Sequence, residues 1–306
     1  MSPKHIISSA EIANREFLNR LFTRAGELEK KAELTLTGKL AATVFYEPST
    51  RTRLSFETAM QRMGGMIVTT ENAGQFSSAI KGETIADSTR IISAYADCII
   101  MRHPQIGAAA QAAEVATVPV INAGDGAGEH PTQALLDMYT IEKELGRRGD
   151  FHIALIGDLK FSRTVHSLLY LLVLYPGVKV SLVMPEKLAL PASCLTFLKK
   201  HQVPVEVYTD LTSVLKTADI FYLTRVQKER FDSTEEYEAL KDVYILTDAE
   251  VSQMKKEARI MHPLPRINEI ATSVDENPRA AYFRQAANGL YVRMALLEYV
   301  MLSDEV

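Results

Sequence analysis

Only two cysteines, Cys98 and Cys194, occur in the 306 residues. That excludes a disulfide framework. Both sit beside apolar residues (DCIIM, SCLTFL), as small buried or half-buried thiols of a reducing compartment do. No CxxC pair and no HExxH occurs, so no metal site is visible. Apolar runs are short. The longest, LLYLLVLY at 168–175, falls well below the roughly 20 residues of a membrane span and ends at Pro176–Gly177, so it reads as a buried helix. The N-terminal MSPKHIISSAE has no long apolar core, and no signal peptide is expected. A large excess of either sign of charge is lacking too. A net charge of −4 offers no global attraction to nucleic acid or to an anionic membrane. Low-complexity segments and short repeats are missing. These absences leave a cytoplasmic protein without nucleic-acid or membrane partners, in which any anion must be bound by a local cluster of arginine and lysine.

Hydrophobic residues make up 47% and charged residues 24%, the balance of a soluble globular chain long enough for two ordinary domains. Ser8 and Glu11 are spaced as a capping box ahead of a first helix, whose apolar stripe is Leu18, Leu21, Phe22 and Ala25. Strands read at 40–46, 66–70, 98–101, 119–122, 153–157, 178–184, 205–208, 219–223 and 259–261, with helical stretches between most of them. Phe56, Ala59, Met60 and Met63 give one such helix its stripe, and Gly64–Gly65 ends it. The order argues for parallel sheets covered by helices on both faces, in two doubly wound units that break near the helix after His130. Residues 280–302 read as a long final helix.

In open α/β sheets ligands bind beyond the carboxyl ends of the strands. The residues there are EPSTRTR after the first strand, Arg102, His103 and Pro104 after the third, AGDGAGEHPTQ after the fourth, DLKFSRT after the fifth, Thr224 to Gln227 after the eighth and HPLPR after the last. The first of these is the densest. A strand-to-helix turn aims unpaired N–H groups at one spot, and the helix dipole favours negative charge there. Ser49, Thr50 and Thr52 add hydroxyls, and Arg51 adds a planar fork that matches phosphate oxygens. A capped helix with a solvated basic face explains a lone Ser-Thr pair, but not four donor side chains in succession. The GDGAG at 124–128 lacks the G-x-G-x-x-G spacing of a dinucleotide site, and its glycines read as a tight turn near the ligand.

STRTRLSFE, HPTQALLD and HPLPR together resemble the aspartate/ornithine carbamoyltransferase family, and KGET at 81–84, MRHP at 101–104, GDLKFSRTVHSL at 157–168 and TRVQKER at 224–230 extend the resemblance over almost the whole chain. The resemblance implies a carbamoyl phosphate-binding domain of residues 1–131 plus 287–306, with the final helix returning to it, and an aspartate-binding domain of residues 132–286. It implies carbamoyl transfer from carbamoyl phosphate to L-aspartate, an early step of pyrimidine biosynthesis, with no cofactor. Aspartate fits better than ornithine. Its two carboxylates need several cations, and Arg163 and Arg225 stand in the second half. The Ser-Met-Gly and His-Cys-Leu-Pro segments of the ornithine enzymes are not found, and the latter position reads His262, Pro263, Leu264, Pro265. The alternatives kept open are the ornithine enzyme and a non-catalytic anion-binding scaffold subunit.

Roles carried over from the family fall as follows. Ser49, Thr50, Arg51 and Thr52 hold the phosphate. Arg102 contacts phosphate and carbonyl oxygen, and with His130 and Thr52 it polarises the carbonyl. Gln133 binds the carbamoyl NH2 together with the backbone carbonyls of Pro263 and Leu264. Arg163, Thr164, Arg225 and Gln227 bind aspartate, aided by Lys81, Leu264 and Pro265. Ser77 and Lys81, on the polar loop 71–83, complete the site of a neighbouring subunit, which implies a homotrimer and leaves room for a regulatory chain or a multienzyme partner. Glu47, Arg230 and Arg266 are expected behind the residues that touch substrate, and His103 and His262 in structural roles. The reaction implied is direct attack by the amine, with the two domains closing over both substrates.

Overall fold

Short apolar runs alternating with amphipathic stretches call for sheets covered on both faces, because parallel strands bury both of their sides. The computed structural model describes residues 4–231 and 233–302. The chain forms two compact units, one running to Tyr139 and resuming at Ala287, the other Thr140–Ala286.

The first unit holds α1 (Arg15–Lys30), β1 (Leu40–Phe45), α2 (Thr50–Arg62), β2 (Met66–Glu71), α3 (Ala73–Phe76), α4 (Ile85–Ser93), β3 (Cys98–His103), α5 (Ala108–Val115), β4 (Val120–Asp125) and the start of α6 (Pro131–Leu145). The second holds β5 (His152–Gly157), α7 (Arg163–Leu172), β6 (Lys179–Val183), α8 (Ala192–Lys200), β7 (Val205–Tyr208), β8 (Ile220–Thr224), α9 (Thr234–Leu240), α10 (Asp248–Gln253) and β9 (Arg259–Met261). The last helix, α11 (Tyr282–Met301), rejoins the first unit from Ala287. The sheets are ordered β2-β1-β3-β4 and β7-β6-β5-β8-β9, and every ladder is parallel.

Val44, Ile99, Met101 and Val120 pack in the first core and Ile156, Phe221, Leu223 and Ile260 in the second. Each full burial of such a side chain contributes about 1.5–3 kcal/mol. The return of α11 is fixed by Glu298, whose buried carboxylate accepts from Arg24 Nε at 2.7 Å and from Thr35 Oγ1 at 2.6 Å. Phe17 and Tyr299 meet edge to face, centroids 4.9 Å apart. Within α11, beyond Ala287, Arg293 lies over the Phe56 ring of α2.

Two local expectations change. Ser8 and Glu11 do exchange hydrogen bonds, Glu11 N–H to Ser8 Oγ at 3.3 Å and Ser8 N–H to Glu11 Oε2 at 3.2 Å, but they close a turn. The helix starts later, at Arg15, where Asn14 Oδ1 accepts from Phe17 N–H at 3.0 Å. The loop 71–83 is not irregular throughout, since it contains α3 and a 3₁₀ turn, Ser78–Lys81. The end of α2 is as the glycine pair predicts. Gly64 has φ +80°, its N–H donates to the Gln61 carbonyl, and the Gly65 N–H reaches back to the Met60 carbonyl at 2.9 Å.

Candidate active site

In the first sheet the chain turns back between β1 and β3, and in the second between β5 and β8. Both are topological switch points, where an open sheet leaves a crevice at its carboxyl edge.

At the first, β1 ends in Phe45 paired with Arg102, and Glu47 to Ser49 lead into α2. Ser49 holds the N-cap position but makes no side-chain capping bond, and the first turn of α2 carries no acidic residue. The helix start is therefore positive, and its hydroxyls and N–H groups are left to an outside acceptor. Thr50 and Arg51 are exposed, Ser49 is half-buried and Thr52 is buried. Ser55 is spent differently: its hydroxyl donates to the carbonyls of Arg51 (2.6 Å) and Thr52 (3.0 Å). Arg53 turns to Glu71 at the end of β2, 3.0 Å away, so Arg51 is the arginine at the mouth of this turn.

Arg102, the last residue but one of β3, pairs with Glu47 at 3.5 Å, which makes Glu47 its local counter-charge. His103 faces its own neighbours. Its Nδ1 accepts from Gln105 N–H at 3.0 Å, its ring lies 4.4 Å from that of Tyr46, and burial lowers its pKa despite the pull of Glu47. After β4, Asp125 ties down the glycine turn by accepting from Glu129 N–H (2.6 Å) and Gly107 N–H (3.0 Å). Gly126 has φ +50°, and a Cβ there would lie 2.1 Å from the Pro104 carbonyl oxygen. This turn delivers His130, buried, to the start of α6, with Thr132 Oγ1 at 3.4 Å from its Nδ1. One turn in, Gln133 Nε2 donates to Asp137 Oδ1 at 2.9 Å.

Ser77 and Lys81 stand apart from this group. The Ser77 hydroxyl donates to the Ala73 carbonyl at 2.6 Å and accepts from Ala79 N–H at 3.2 Å, and Lys81 is exposed. No hydrogen bond or ion pair among the described residues joins either to Ser49–Thr52. Phe76 and Ile80, beside them in sequence, are exposed apolar side chains, as are Leu54 of α2 and Met66 and Val68 on the edge strand β2.

At the second switch point Gly157 pairs with Thr224, and Thr224 Oγ1 donates to the carbonyls of Ile156 (2.9 Å) and Asp158 (3.1 Å). Arg163 and Thr164 open α7, whose N-cap, Ser162, makes no capping bond. Arg225 and Gln227 flank Val226, which is buried against Leu188 and Tyr237, so the alternation of extended chain turns the two polar side chains away from that cluster. Arg230 is exposed. Arg266 is committed within its own unit: it forms a two-pronged pair with Asp275 and donates to Tyr282 Oη at 3.0 Å.

The HPLPR segment follows β9. Leu264 is left-handed (φ +51°), and the Leu264–Pro265 peptide is cis. A buried relay holds the segment. Leu264 N–H donates to His262 Nδ1 at 2.8 Å, which places the ring proton on Nε2, and Nε2 donates to Glu269 Oε1 at 2.7 Å. The other oxygen, Oε2, accepts from the N–H groups of Ile267 (3.0 Å) and Asn268 (3.1 Å). His262 is thus engaged within its own segment, through Leu264 and Glu269.

Acids that organise the loops are what sequence reasoning passed over. Asp158 is fully buried, and its Oδ1 accepts from Phe161 N–H at 2.9 Å. Burial raises its pKa, against the opposing backbone N–H groups of Phe161, Gln227 and Lys160. Its position directly after a strand, in a segment otherwise basic, was the available signal. Among the described residues no group of three or more His, Cys, Asp or Glu could hold a metal ion, and no helix is long and apolar enough to cross a membrane.

Residues 4–143 match the model of the aspartate/ornithine carbamoyltransferase carbamoyl-P binding domain, and residues 149–300 that of the Asp/Orn binding domain. The chain is 48% identical over 305 residues to the aspartate carbamoyltransferase catalytic subunit of Methanocella arvoryzae, covering 98% of each. It is 51% identical to the chloroplastic aspartate carbamoyltransferase of Arabidopsis thaliana over 94% of this chain and 76% of the plant protein. Among solved structures, aspartate transcarbamoylase from Trypanosoma cruzi in complex with carbamoyl phosphate and aspartate superposes with a TM-score of 0.91 at 41% identity, covering 98% of each chain.

Proposed function

The chain belongs to the aspartate/ornithine carbamoyltransferase family, and from that membership we propose how its two half-sites divide one reaction. It transfers the carbamoyl group of carbamoyl phosphate to aspartate, giving carbamoyl aspartate and phosphate. The observation that carries the assignment of the halves is the uncapped, acid-free start of α2 at one switch point, with Arg163, Arg225 and Gln227 at the other.

The first unit is the carbamoyl phosphate-binding domain. Ser49, Thr50, Arg51 and Thr52 hold the phosphate, and Arg102 spans phosphate and carbonyl oxygen. His130, Arg102 and Thr52 polarise the carbonyl. A neutral His130 ring carrying its proton on Nε2 can donate to an oxygen that gains charge as the tetrahedral intermediate forms. Gln133 and the carbonyls of Pro263 and Leu264 accept from the carbamoyl NH2. The second unit is the aspartate-binding domain, with Arg163, Arg225, Gln227 and Thr164 taking the carboxylates and Lys81, Leu264 and Pro265 assisting. The deprotonated α-amine attacks the carbonyl carbon, the new C–N bond forms, the C–O bond to phosphate breaks, and the departing phosphate accepts the amine proton. No covalent enzyme intermediate is needed. Holding two anions in attack geometry against their repulsion supplies much of the rate.

Ser77 and Lys81 serve the site of a neighbouring copy in a homotrimer. The exposed Phe76 and Ile80 beside them in sequence, and the exposed Met66 and Val68 of the edge strand, support this, since exposed apolar side chains on an edge of that kind suit a second chain. One buried and one half-buried cysteine suit a reducing compartment such as the cytoplasm. Steady-state assays with each acceptor test the reaction. Phosphate release with carbamoyl aspartate from aspartate, and none from ornithine, is expected; citrulline production would overturn the assignment.

A further inference from the structure

A glutamine amide has two ends of nearly equal shape, and only its neighbours decide which end faces a ligand. In α6 that neighbour is Asp137, one turn beyond Gln133. Its carboxylate is fully buried and takes Gln133 Nε2–H at 2.9 Å. An ionised carboxylate accepts and never donates, so the pair is possible in one orientation only, with Gln133 Oε1 turned outward as an acceptor. A buried opposite charge that feels Asp137 comes from α11. Arg293 is buried, its guanidinium lies 5.1 Å from the centroid of the Phe56 ring, and Asp137 stabilises its charged form against the desolvation that lowers its pKa to about 10. Room for that guanidinium is made by Gly289, where a Cβ would lie 2.5 Å from Nη1. Two buried, oppositely charged side chains from different helices thus stand behind one amide.

We propose that Asp137, backed by Arg293, is a positioning residue that sets the specificity of the acyl phosphate site: it locks the Gln133 amide so that its oxygen demands an N–H donor on the substrate carbonyl. This rests on the reading of Gln133 as the residue that meets the carbamoyl NH2. A carbamoyl group supplies the donor. An acetyl group, of the same shape with CH3 in place of NH2, leaves Oε1 unpaired, and a site built around a hydrogen bond rejects an analogue that lacks it.

The test compares kcat/KM for carbamoyl phosphate and acetyl phosphate with aspartate as acceptor. With acetyl phosphate the amine forms the new C–N bond, phosphate leaves with the amine proton, and N-acetyl aspartate results. Asp137→Asn lets the amide pair form in either sense, so the carbamoyl-to-acetyl ratio is expected to fall about tenfold or more. The fall should appear mainly in carbamoyl phosphate turnover, with acetyl transfer little changed. Because Asp137→Asn strands a buried guanidinium, the double variant Asp137→Leu/Arg293→Met, which removes both charges, is measured beside it and is expected to narrow the ratio as well. An unchanged ratio in a folded variant of either kind overturns the proposal, as does an equal loss with both substrates. Gln133→Ala separates the premise from the inference. If it leaves the ratio at the wild-type value, Gln133 does not meet the carbamoyl amine. If it collapses the ratio while the Asp137 variants do not, only the role of Asp137 falls.

Discussion

Arg51 and Arg53 lie two residues apart on one helix, yet their surroundings separate them. Arg53 is held by Glu71, whereas Arg51 sits at the uncapped end of α2. Replacing Arg51 with Ala should lower kcat/KM for carbamoyl phosphate about a hundredfold or more, as loss of a donor to transition-state charge does. Arg53→Ala should cost about 1 kcal/mol or less of stability, the scale of a partly exposed pair, read by urea unfolding. The His262–Glu269 pair carries a pH signature. Burial alone would raise the Glu269 carboxyl, but the hydrogen bonds from His262 and the Ile267 N–H outweigh it and hold its pKa below the ordinary value. A carboxyl depressed on folding adds its full stability above its unfolded value, about 4.3, and loses it as pH falls through the lower folded value. Glu269→Gln should therefore be less stable than the natural chain by about 1–3 kcal/mol at neutral pH, with the gap closing as the pH is taken down to about 3. Such acids are hard to read from sequence. Ser49 to Thr52 announce themselves by crowding, but Asp158 and Glu269 are single residues whose partners are largely backbone N–H groups, and the one local mark is the basic segment in which Asp158 follows its strand.

Elements were legible where their signal was periodic. Leu18, Leu21, Phe22 and Ala25 are all buried on α1, and the strand run 205–208 is β7 itself. Ends were legible where glycine was required, as at Gly64. They were not where two signals competed: Ser8–Glu11 has the capping-box spacing, but Asn14, four residues before the first fully buried turn, makes the cap. Asn14→Ala should cost about 1 kcal/mol, visible as a lowered Tm. The join of β5 to β8 depends on Gly157, at φ +106°, where a Cβ would lie 2.5 Å from the Thr224 carbonyl oxygen. Gly157→Ala should destabilise by more than about 1 kcal/mol and raise the KM for aspartate, because the loops bearing Arg163 and Arg225 spring from those two strands. The parallel order of both sheets followed from strands and helices alternating; the strand order itself has no local signal, since it depends on which crossover each helix takes.

For the whole molecule, the proposed sharing of sites makes a prediction that no single-chain account makes. Arg51→Ala and Lys81→Ala chains should each be nearly inactive alone, and mixing them under conditions that exchange subunits should restore part of the activity, since some sites then receive an intact residue from each neighbour. No recovery would place both residues in a site built by one chain. Beneath this lies the identity of the phosphate grip itself, and titration calorimetry with carbamoyl phosphate addresses it directly. Arg51→Ala should weaken binding at least tenfold, while Arg225→Ala, in the other half, should leave it within about twofold, the energies being those of a charged hydrogen bond kept or lost. Unchanged affinity in Arg51→Ala would contradict the assignment of carbamoyl phosphate to the start of α2.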